Sequence, residues 1–504
     1  MKLTIQLLIA ILAIETAISQ GATDGLIYSS EAPSGTARFN ALSGAFGALG
    51  GDLSALSINP AGSAIFLNSG MAFSLAANDT ENSASYFNTE TKSIDTDINL
   101  NQAGGVYVFN DATGSVKYTF AFNYQIEKNY NNELVVKGTG NNSIGEFFLS
   151  QAQGIPLNLL QLQNGESISS LYGYLGINEG TTAQNAFLGY QGFIINPVDE
   201  DNNESSEYVS TISPGSFYQE YAYLTHGRKS KYTLNFGAQV NQNISLGANL
   251  NTHSLTYRRS TFLTETNSNP GSLVNKVGFE NNLLVQGYGI SLQIGMIAKI
   301  EKNIRLGFSL QSPTWYDIYE ETTQFLETGR VENGQSIVEK INPRVVNIFE
   351  NYRLCTPGKL TASAAYIFGG NGLISIDYTY KDYGSIRYDS FSDDNYFDSA
   401  NNSIENSFSG ANSIRLGGEY RIKKYSLRGG IRYEDSPAKN NQSIGNLRGF
   451  SLGMGYNLGN YNLNVSYVRS EQDRRQQLYS EGLTDTASIE TVTTNIALTL
   501  GLVL

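Results

Sequence analysis

Four arginines give the chain a chemistry for holding an anion. They alternate with apolar residues in two neighbouring segments and are Arg415, Arg421, Arg428 and Arg432. A guanidinium donates parallel N–H groups, so in a partly dry cavity these side chains could bind a carboxylate. The alternative is that they pair with Glu419, Glu434 and Asp52 and only satisfy a polar wall.

The sequence offers little for catalysis. Gly449-Phe-Ser-Leu-Gly453 has the spacing of a nucleophile elbow, which needs a strand-turn-helix with an acid and a histidine nearby. Here Phe450 and Leu452 alternate with small residues, as they would in a strand. His226 and His253 are the two histidines of the chain, too few for a metal cluster. We therefore expect a protein that is not an enzyme and that binds no metal or cofactor.

The composition favours a β protein. Charged residues make up 16% of the 504 residues, whereas Gly, Tyr and Phe number 51, 32 and 24. Such a balance is typical of antiparallel sheets with aromatic girdles. The formal net charge of -13 argues against nucleic acid as a partner. The single cysteine, Cys355, excludes an intramolecular disulfide.

The N-terminus, residues 1–19, has the pattern of a secretory signal peptide. Lys2 supplies the positive end, residues 3–14 are mostly apolar, and Ala17 and Ser19 have the small side chains that cleavage before Gln20 requires. No later window is apolar for long enough to predict a transmembrane helix. We expect an exported chain.

From Ser69 onward, apolar and polar residues alternate with a period of two. In one segment Ile414 and Leu416 share a face, while Arg415 and Glu419 lie on the other. Most such segments reach the roughly 9–11 residues that a tilted strand needs to cross a bilayer. About fourteen of them occur: 70–78, 101–110, 115–128, 231–241, 243–258, 283–300, 303–313, 346–367, 371–383, 411–422, 424–435, 447–458, 460–470 and 491–504.

The connections between these segments alternate in length. Short ones include residues 241–243 and 423–424, and long ones include 78–100 and 129–230. An even number of strands with short turns at one rim and long loops at the other predicts a transmembrane antiparallel β-barrel over residues 69–504. The connection 129–230 contains apolar clusters, so we expect it to fold as a partly helical extracellular cap.

Residues 20–68 are predicted to form a hatch, or plug, inside the lumen. The stretch 35–62 is dense in Gly, Ala and Ser and closes on Asn59-Pro60-Ala61-Gly62. Small residues suit a segment whose backbone lies close to a surrounding wall. Proline biases Asn59 toward an extended backbone, so these four residues are the expected rigid gating element. On composition alone, a flexible linker or a single helix is the alternative.

The Asn59-Pro60-Ala61-Gly62 motif resembles that of the FadL family of outer-membrane transporters. That family pairs a fourteen-stranded barrel with an N-terminal hatch bearing an Asn-Pro-Ala motif. A second match, residues 352–366, is similar to the family's Thr-Pro-containing strand. The chain departs from the family in its hundred-residue loop and in its end, Gly501-Leu-Val-Leu504, which lacks a terminal aromatic residue.

The resemblance implies passive transport of small hydrophobic molecules, such as long-chain fatty acids, across the outer membrane of a Gram-negative bacterium. The partners would then be outer-membrane lipids and a hydrophobic substrate, and the barrel would be a monomer. Two alternatives stay open. One is a secretion-associated barrel of the PorV type that handles secreted protein cargo, and the other is a structural or adhesive barrel.

Overall fold

A computed structural model of the protein describes residues 21–110, 116–332, 334–393, 395–440 and 443–504. The predicted signal peptide, residues 1–19, lies outside these residues, and so do residues 111–115, between the predicted segments 101–110 and 115–128. Within the described ranges, no helix combines the length and the apolar character needed to cross a membrane.

The secondary structure is dominated by strands. They are β1 Gly70–Tyr86, β2 Thr89–Asn110, β3 Lys117–Asn129, β4 Asn132–Gly140, β5 Ile195–Pro197, β6 Tyr208–Ser210, β7 Phe217–Gln239, β8 Ile244–Asn267, β9 Val274–Lys299, β10 Ile304–Gln311, β11 Thr314–Glu332, β12 Gln335–Ile341, β13 Asn347–Ile348, β14 Tyr352–Thr356, β15 Lys359–Phe368, β16 Gly372–Asp382, β17 Arg387–Ser390, β18 Gly410–Ile422, β19 Tyr425–Glu434, β20 Ile444–Asn457, β21 Tyr461–Gln477 and β22 Thr486–Val503.

The helices are few and lie before the first strand or in the long connections. They are α1 Ala22–Ser29, α2 Ala37–Ala41, α3 Gly145–Ala152, α4 Ile168–Asn178, α5 Gly180–Gln191 and α6 Asp398–Ser407. Short 3-10 helices span Ser54–Ser57, Pro60–Ile65, Leu157–Leu159 and Tyr383–Ser385.

The main sheet closes on itself as a barrel. Its first strand pairs antiparallel with its last, with Gly70 opposite Val503, so the sheet has no free edge at that point. Fourteen crossings of the chain make up the wall. Four of them consist of two strands in line, namely β3 with β4, β10 with β11, β14 with β15, and β16 with β17. The predicted fold class, an antiparallel barrel of about fourteen strands, is confirmed.

Crossings seven and eight are each interrupted at a proline. Ser312 and Pro313 separate β10 from β11, and Pro357 and Gly358 separate β14 from β15. Proline has no N–H to give to the ladder, so it ends a strand at these points. The two breaks are neighbours, because a Cβ on Gly358 would lie only 2.8 Å from the carbonyl oxygen of Gln311.

The two faces of the wall separate by polarity as the alternation predicts. On β16, Ile374 and Ile376 point outward and are 48% and 46% exposed, whereas Ser375 and Asp377 point inward and are at most 1% exposed. An outward apolar band over a polar interior is the arrangement that a bilayer requires of a barrel. The same separation holds on β18, where Ile414 and Leu416 are exposed and Glu419 is buried, so the predicted faces of that segment are confirmed.

Two predicted loops are shorter than expected. The predicted loop 78–100 is instead a continuous hairpin of β1 and β2, turned by Phe87 and Asn88 with φ of 49° and 77°. Positive φ at both turn positions is the geometry of a tight type I′ hairpin. The predicted connection 129–230 is reduced to 141–216, because β4 and β7 extend the sheet. Apolar residues in these extensions do not alternate strictly with polar ones, as in Leu134-Val-Val136 of β4. The period-two pattern is therefore weak there, although the backbone ladder continues.

The connection between β4 and β7 folds as a cap over one rim. Helices α3, α4 and α5 enclose a buried apolar cluster that includes Phe148, Phe187 and Leu188. Phe148 also packs on Phe279 of β9, with ring centroids 5.0 Å apart. The cap is thus fixed to the wall by apolar burial at the rim where the long connections lie.

Candidate functional site

Residues 21–68, the described part of the predicted hatch, fill the lumen. Phe39, Leu42 and Phe46 are fully buried. Helix α2 packs on β19 to β22, whereas the 3-10 helix Pro60–Ile65 packs on β3, β7, β8 and β9. These two groups of strands lie on opposite sides of the barrel, so the hatch reaches across it.

Asn59 joins the hatch to the wall. Its backbone is extended, with φ of -144°, and its side-chain Oδ1 accepts from the N–H of Ala61 at 3.1 Å. Its Nδ2 donates to the carbonyl of Gly47 within the hatch at 2.7 Å and to that of Met296 in β9 at 3.0 Å. One amide therefore caps the Pro60–Ile65 helix, ties two parts of the hatch together and contacts the barrel.

Glycines in the wall make room for this turn. A Cβ on Gly295 would lie 2.0 Å from Asn59 Oδ1, and one on Gly247 would lie 2.4 Å from the carbonyl of Pro60. Real Cβ atoms do not approach so closely, so these two positions require glycine for the backbone to come near. Asn235 completes the seat by donating from Nδ2 to the carbonyl of Pro60 at 3.0 Å.

The opposite wall has a second glycine seat. A Cβ on Gly417 or Gly430 would lie 2.6 or 2.7 Å from backbone atoms of Leu42, and one on Gly453 would lie 2.4 Å from the Cβ of Ala41. Thus α2 also rests directly on wall backbone. The hatch is held between two such surfaces.

Wall side chains bind hatch backbone groups. Asp377 Oδ2 accepts from the N–H groups of Phe46 and Gly47, both at 2.9 Å. Ser309 donates to the carbonyl of Ile58 at 2.6 Å. A neutral hydrogen bond of this kind adds about 1 kcal/mol net, and a charged one about 1.5–3 kcal/mol, so the hatch is docked by many small polar contacts.

The first part of the hatch is held by ion pairs. Glu31 lies 2.6 Å from Lys359 and 3.6 Å from Lys381, and Asp24 of α1 lies 2.8 Å from Arg259. Burial alone would raise the pKa of Glu31, but the two ammonium groups hold that pKa well below its usual value. Glu31 therefore stays charged at neutral pH and fixes this end of the hatch.

The four arginines that the sequence offered for binding an anion all pair with carboxylates of the protein. Glu419 accepts from Arg428 and Arg421 and also from Arg38 of the hatch, at 2.6, 2.6 and 2.9 Å. The second acid, Glu434, lies 3.2 Å from Arg432 and 3.5 Å from Arg415. The structure thus places all four arginines in ion pairs, as in the alternative stated above.

Asp52 has a different environment from the one expected. Its carboxylate accepts from the hydroxyl of Thr36 and from the N–H of Ser54, rather than from a wall arginine. Burial raises the pKa of Asp52 even though Arg38 is near. The acid thus braces the hatch internally.

The described residues leave part of the lumen unfilled. A cavity of about 60 Å³ lies beside the buried Glu127, which contacts Lys231 and His253 at 2.8 and 2.9 Å. A larger cavity of about 680 Å³, the vestibule, lies between the underside of the hatch and the rim with the short connections. Its walls include Gly51 of the hatch and the Lys423-Lys424 turn.

Ser451 confirms that the G-x-S-x-G spacing here is not a nucleophile elbow. The residue lies inside β20, where its hydroxyl donates to the carbonyl of Ala41 at 2.9 Å and contacts the hydroxyl of Ser43 at 2.8 Å. It is one more contact between hatch and wall. Among the described residues, no group of His, Cys, Asp and Glu is arranged to hold a metal ion.

Sequence reasoning missed the wall partners of the hatch. Gly417, Gly453 and Asp377 fall on inward faces by the period of two, and the sequence alone gives them no contact with the hatch. The available signal was the position of glycine at inward-facing places in strands that otherwise carry polar side chains. What the sequence could not supply was which part of the hatch each glycine meets.

Comparisons with solved structures agree with this architecture. A FadL homologue of Pseudomonas aeruginosa superposes with a TM-score of 0.52 at 10% identity, covering 94% of this chain and 99% of that one. The toluene transporter TodX of Pseudomonas putida gives 0.52 at 13% identity, with coverage of 94% and 99%. At such low identity these likenesses show the fold, so the resemblance to the FadL family is confirmed at the level of the fold.

Sequence comparison gives a separate result. Among proteins with curated descriptions, none matches the chain. A family model described as BamG matches residues 204–478, which is more than half of the chain. The chain therefore belongs to the BamG family.

Proposed function

We propose that this chain is an outer-membrane barrel of a Gram-negative bacterium that lets small hydrophobic molecules enter by passive diffusion. The hatch would gate the passage, with Asn59, Pro60, Ala61 and Gly62 as its moving contact. On this proposal the rim with the cap faces outward and the vestibule faces the periplasm. The lipids around the apolar band and the hydrophobic substrate would be its partners, and the barrel would act as a monomer.

The observation that carries the proposal is the seat of the Asn59-Pro60 turn. Asn59 contacts hatch and wall through one side chain, and the glycines at 247 and 295 leave space only for the present fit. A small shift of this turn would therefore break several contacts together. Because each contact contributes only about 1 kcal/mol, thermal motion or a bound ligand can supply the energy for such a shift.

The substrate class that we propose rests on the residues around the first helix of the hatch. Helix α1 lies in a buried cluster rich in tyrosine, including Tyr28, Tyr257 and Tyr316. Aromatic faces offer favourable contacts to planar and aliphatic apolar molecules. We therefore propose aromatic hydrocarbons and long-chain fatty acids as the classes to test. The four wall arginines would have a structural role, because each pairs with a carboxylate.

A second candidate, handling of secreted protein cargo, is favoured by the surface of the cap. Ile177 and Tyr174 of α4 are 86% and 50% exposed, and Ile348 of β13 is 65% exposed. Residues of this kind are common at protein interfaces. If the cap binds cargo, replacing Ile177 and Ile348 by serine should abolish surface retention of a secreted protein without changing uptake of small molecules.

Uptake into intact cells tests the proposal. Cells that carry the chain should accumulate labelled toluene or oleate faster than cells that lack it, and should stay resistant to large hydrophilic antibiotics. Asn59→Ala should lower uptake while the barrel still assembles, as judged by heat-modifiable gel mobility. Asn203→Ala, on the exposed cap, is the matched control and should transport as the unchanged chain does.

Equal accumulation in cells with and without the chain, for both probes, would contradict transport. If the Asn59→Ala and Asn203→Ala variants transport equally, uptake would stand but the gating role of the motif would fall.

A further inference from the structure

The vestibule beneath the hatch is strongly basic in a chain whose formal net charge is -13. Eight basic side chains line the cavity, against two carboxylates, Asp52 and Glu419. Among the described residues this is an excess of six positive charges. Such a concentration of one sign in a recess attracts ligands of the opposite sign.

Two groups of basic residues face the vestibule from different parts of the wall. One group is at the ends of β3, β9 and β10 and consists of Lys117, Lys299 and Arg305. The other is at the turn between β18 and β19 and consists of Arg421, Lys423, Lys424 and Arg428. The strands of the first group belong to crossings three, six and seven of the barrel, and those of the second to crossings ten and eleven.

Several of these cations have no acidic partner. Arg421 and Arg428 pair with Glu419, whereas Lys299, Lys423 and Lys424 form no ion pair with any residue that the structure describes. Lys117 and Arg305 donate to hatch carbonyls, those of Phe66 and Leu49, at 2.8 and 3.1 Å. The charge is therefore not needed to balance acids of the barrel itself.

We infer that the vestibule binds an acidic segment of a periplasmic polypeptide. A single phosphate or carboxylate can contact only one group of cations at a time, because the two groups lie on separated strands. An extended chain with several Asp or Glu residues can reach both. Lipid head groups are less suited, since the lining residues face the recess under the hatch rather than the outward band. The inference rests on the proposed function for one point, that this rim faces the periplasm.

A peptide-binding measurement on the full barrel in nanodiscs tests the inference. A labelled oligoglutamate peptide should bind, and raising the salt should weaken it because the charges are solvent-accessible. The triple variant Lys299→Gln, Lys423→Gln and Lys424→Gln should bind about tenfold more weakly or worse. It leaves Lys117 and Arg305 in place, so the hatch contacts are kept, and heat-modifiable mobility checks the fold.

The matched control removes the same charge at the opposite rim, as Lys92→Gln, Lys276→Gln and Lys340→Gln, and should bind the peptide as the unchanged chain does. The inference is overturned if oligoglutamine binds equally, if the vestibule variant loses nothing, or if the rim control loses as much. It is also overturned if inorganic phosphate or anionic vesicles compete as well as the unlabelled peptide. Since no step of this experiment measures uptake, its result is independent of the transport test.

Discussion

The two ends of the barrel differ in what lies inside them. At the rim with long connections, the cap buries Phe148, Phe187 and Leu188 in a dry cluster. At the other rim lies the vestibule, an unfilled cavity of about 680 Å³ that is lined by basic side chains. Between them, the hatch is held by close backbone contacts at wall glycines, by polar contacts and by two smaller apolar clusters around Tyr28 and Phe39. The cap therefore depends mainly on apolar burial, whereas the hatch also depends on many weak polar contacts with the wall.

The largest effect is expected from removing the hatch. Deleting residues 35–62 should turn a closed barrel into a leaky pore, because these residues span the lumen from β3 to β22. Ion conductance in planar bilayers should rise from near zero to that of an open channel, and cells should become sensitive to hydrophilic antibiotics. Heat-modifiable mobility shows whether the shortened chain still forms a barrel. Unchanged conductance in an assembled barrel would mean that the hatch does not seal the lumen.

The apolar closure of the cap can be broken at one side chain. Phe148→Ala should cost about 3–5 kcal/mol, as for other fully buried phenylalanines, because Phe148 has no exposed surface. Hydrogen exchange in α3 and α5 should report this loss as faster opening. Ile177→Ala is the control, since an 86% exposed side chain should change stability by no more than about 0.5 kcal/mol. Equal exchange in both variants would show that the cluster does not hold the cap.

Charge on the outward face should destabilise the wall. Ile376→Arg places a guanidinium in the apolar band and should cost about 2–4 kcal/mol, measured as the free energy of unfolding in lipid vesicles. Ser426→Arg, which faces the vestibule, should be tolerated. If both arginines cost the same, the assignment of outward and inward faces is wrong, because a shift of one residue exchanges them.

The glycine seat should be sensitive to a single methyl group. Gly295→Ala places a Cβ 2.0 Å from Asn59 Oδ1, and such overpacking typically costs about 1–3 kcal/mol. Hydrogen exchange of residues 59–64 should quicken as the turn is displaced. In Gly418→Ala the new Cβ has no neighbour closer than 3.7 Å, so exchange in the hatch should not change. Unchanged hydrogen exchange of residues 59–64 in Gly295→Ala would show that the turn does not need glycine at position 295.

The period-two pattern predicted the barrel well because it comes from a strong physical demand. One face of each crossing must be apolar toward lipid, as at Ile374 and Ile376, and the other must accept polar contacts. Beyond the part of the wall that faces lipid, the pattern no longer predicts the strands. The hairpin around Phe87 and Asn88 continues the ladder with only scattered apolar side chains, such as Ile94 and Ile98, so it was predicted as a loop.

The site was predictable in its hatch half only. Proline fixes the backbone around Asn59, so the sequence alone indicated a rigid turn. The partners in the wall could not be predicted, since Gly295, Asn235 and Asp377 are distant from the turn in sequence. Only closure of the barrel brings them to the hatch. The sequence left two interpretations of Arg428, ligand binding or an ion pair with an acid such as Glu419, and the structure shows the ion pair with Glu419.

If molecules pass through the barrel as proposed, the Asn59-Pro60 turn must move. The hydroxyls of Ser63 in the hatch and Thr119 in β3 lie 2.9 Å apart and are both buried. The variant Ser63→Cys with Thr119→Cys places two thiols side by side at these positions, and Cys355→Ser removes the native thiol. Their disulfide, with a sulfur–sulfur bond of about 2.05 Å, would lock the turn reversibly. With the disulfide formed, uptake of labelled toluene or oleate should stop, and it should return on reduction, while each single cysteine variant transports normally. Full uptake with the disulfide formed completely would contradict the account.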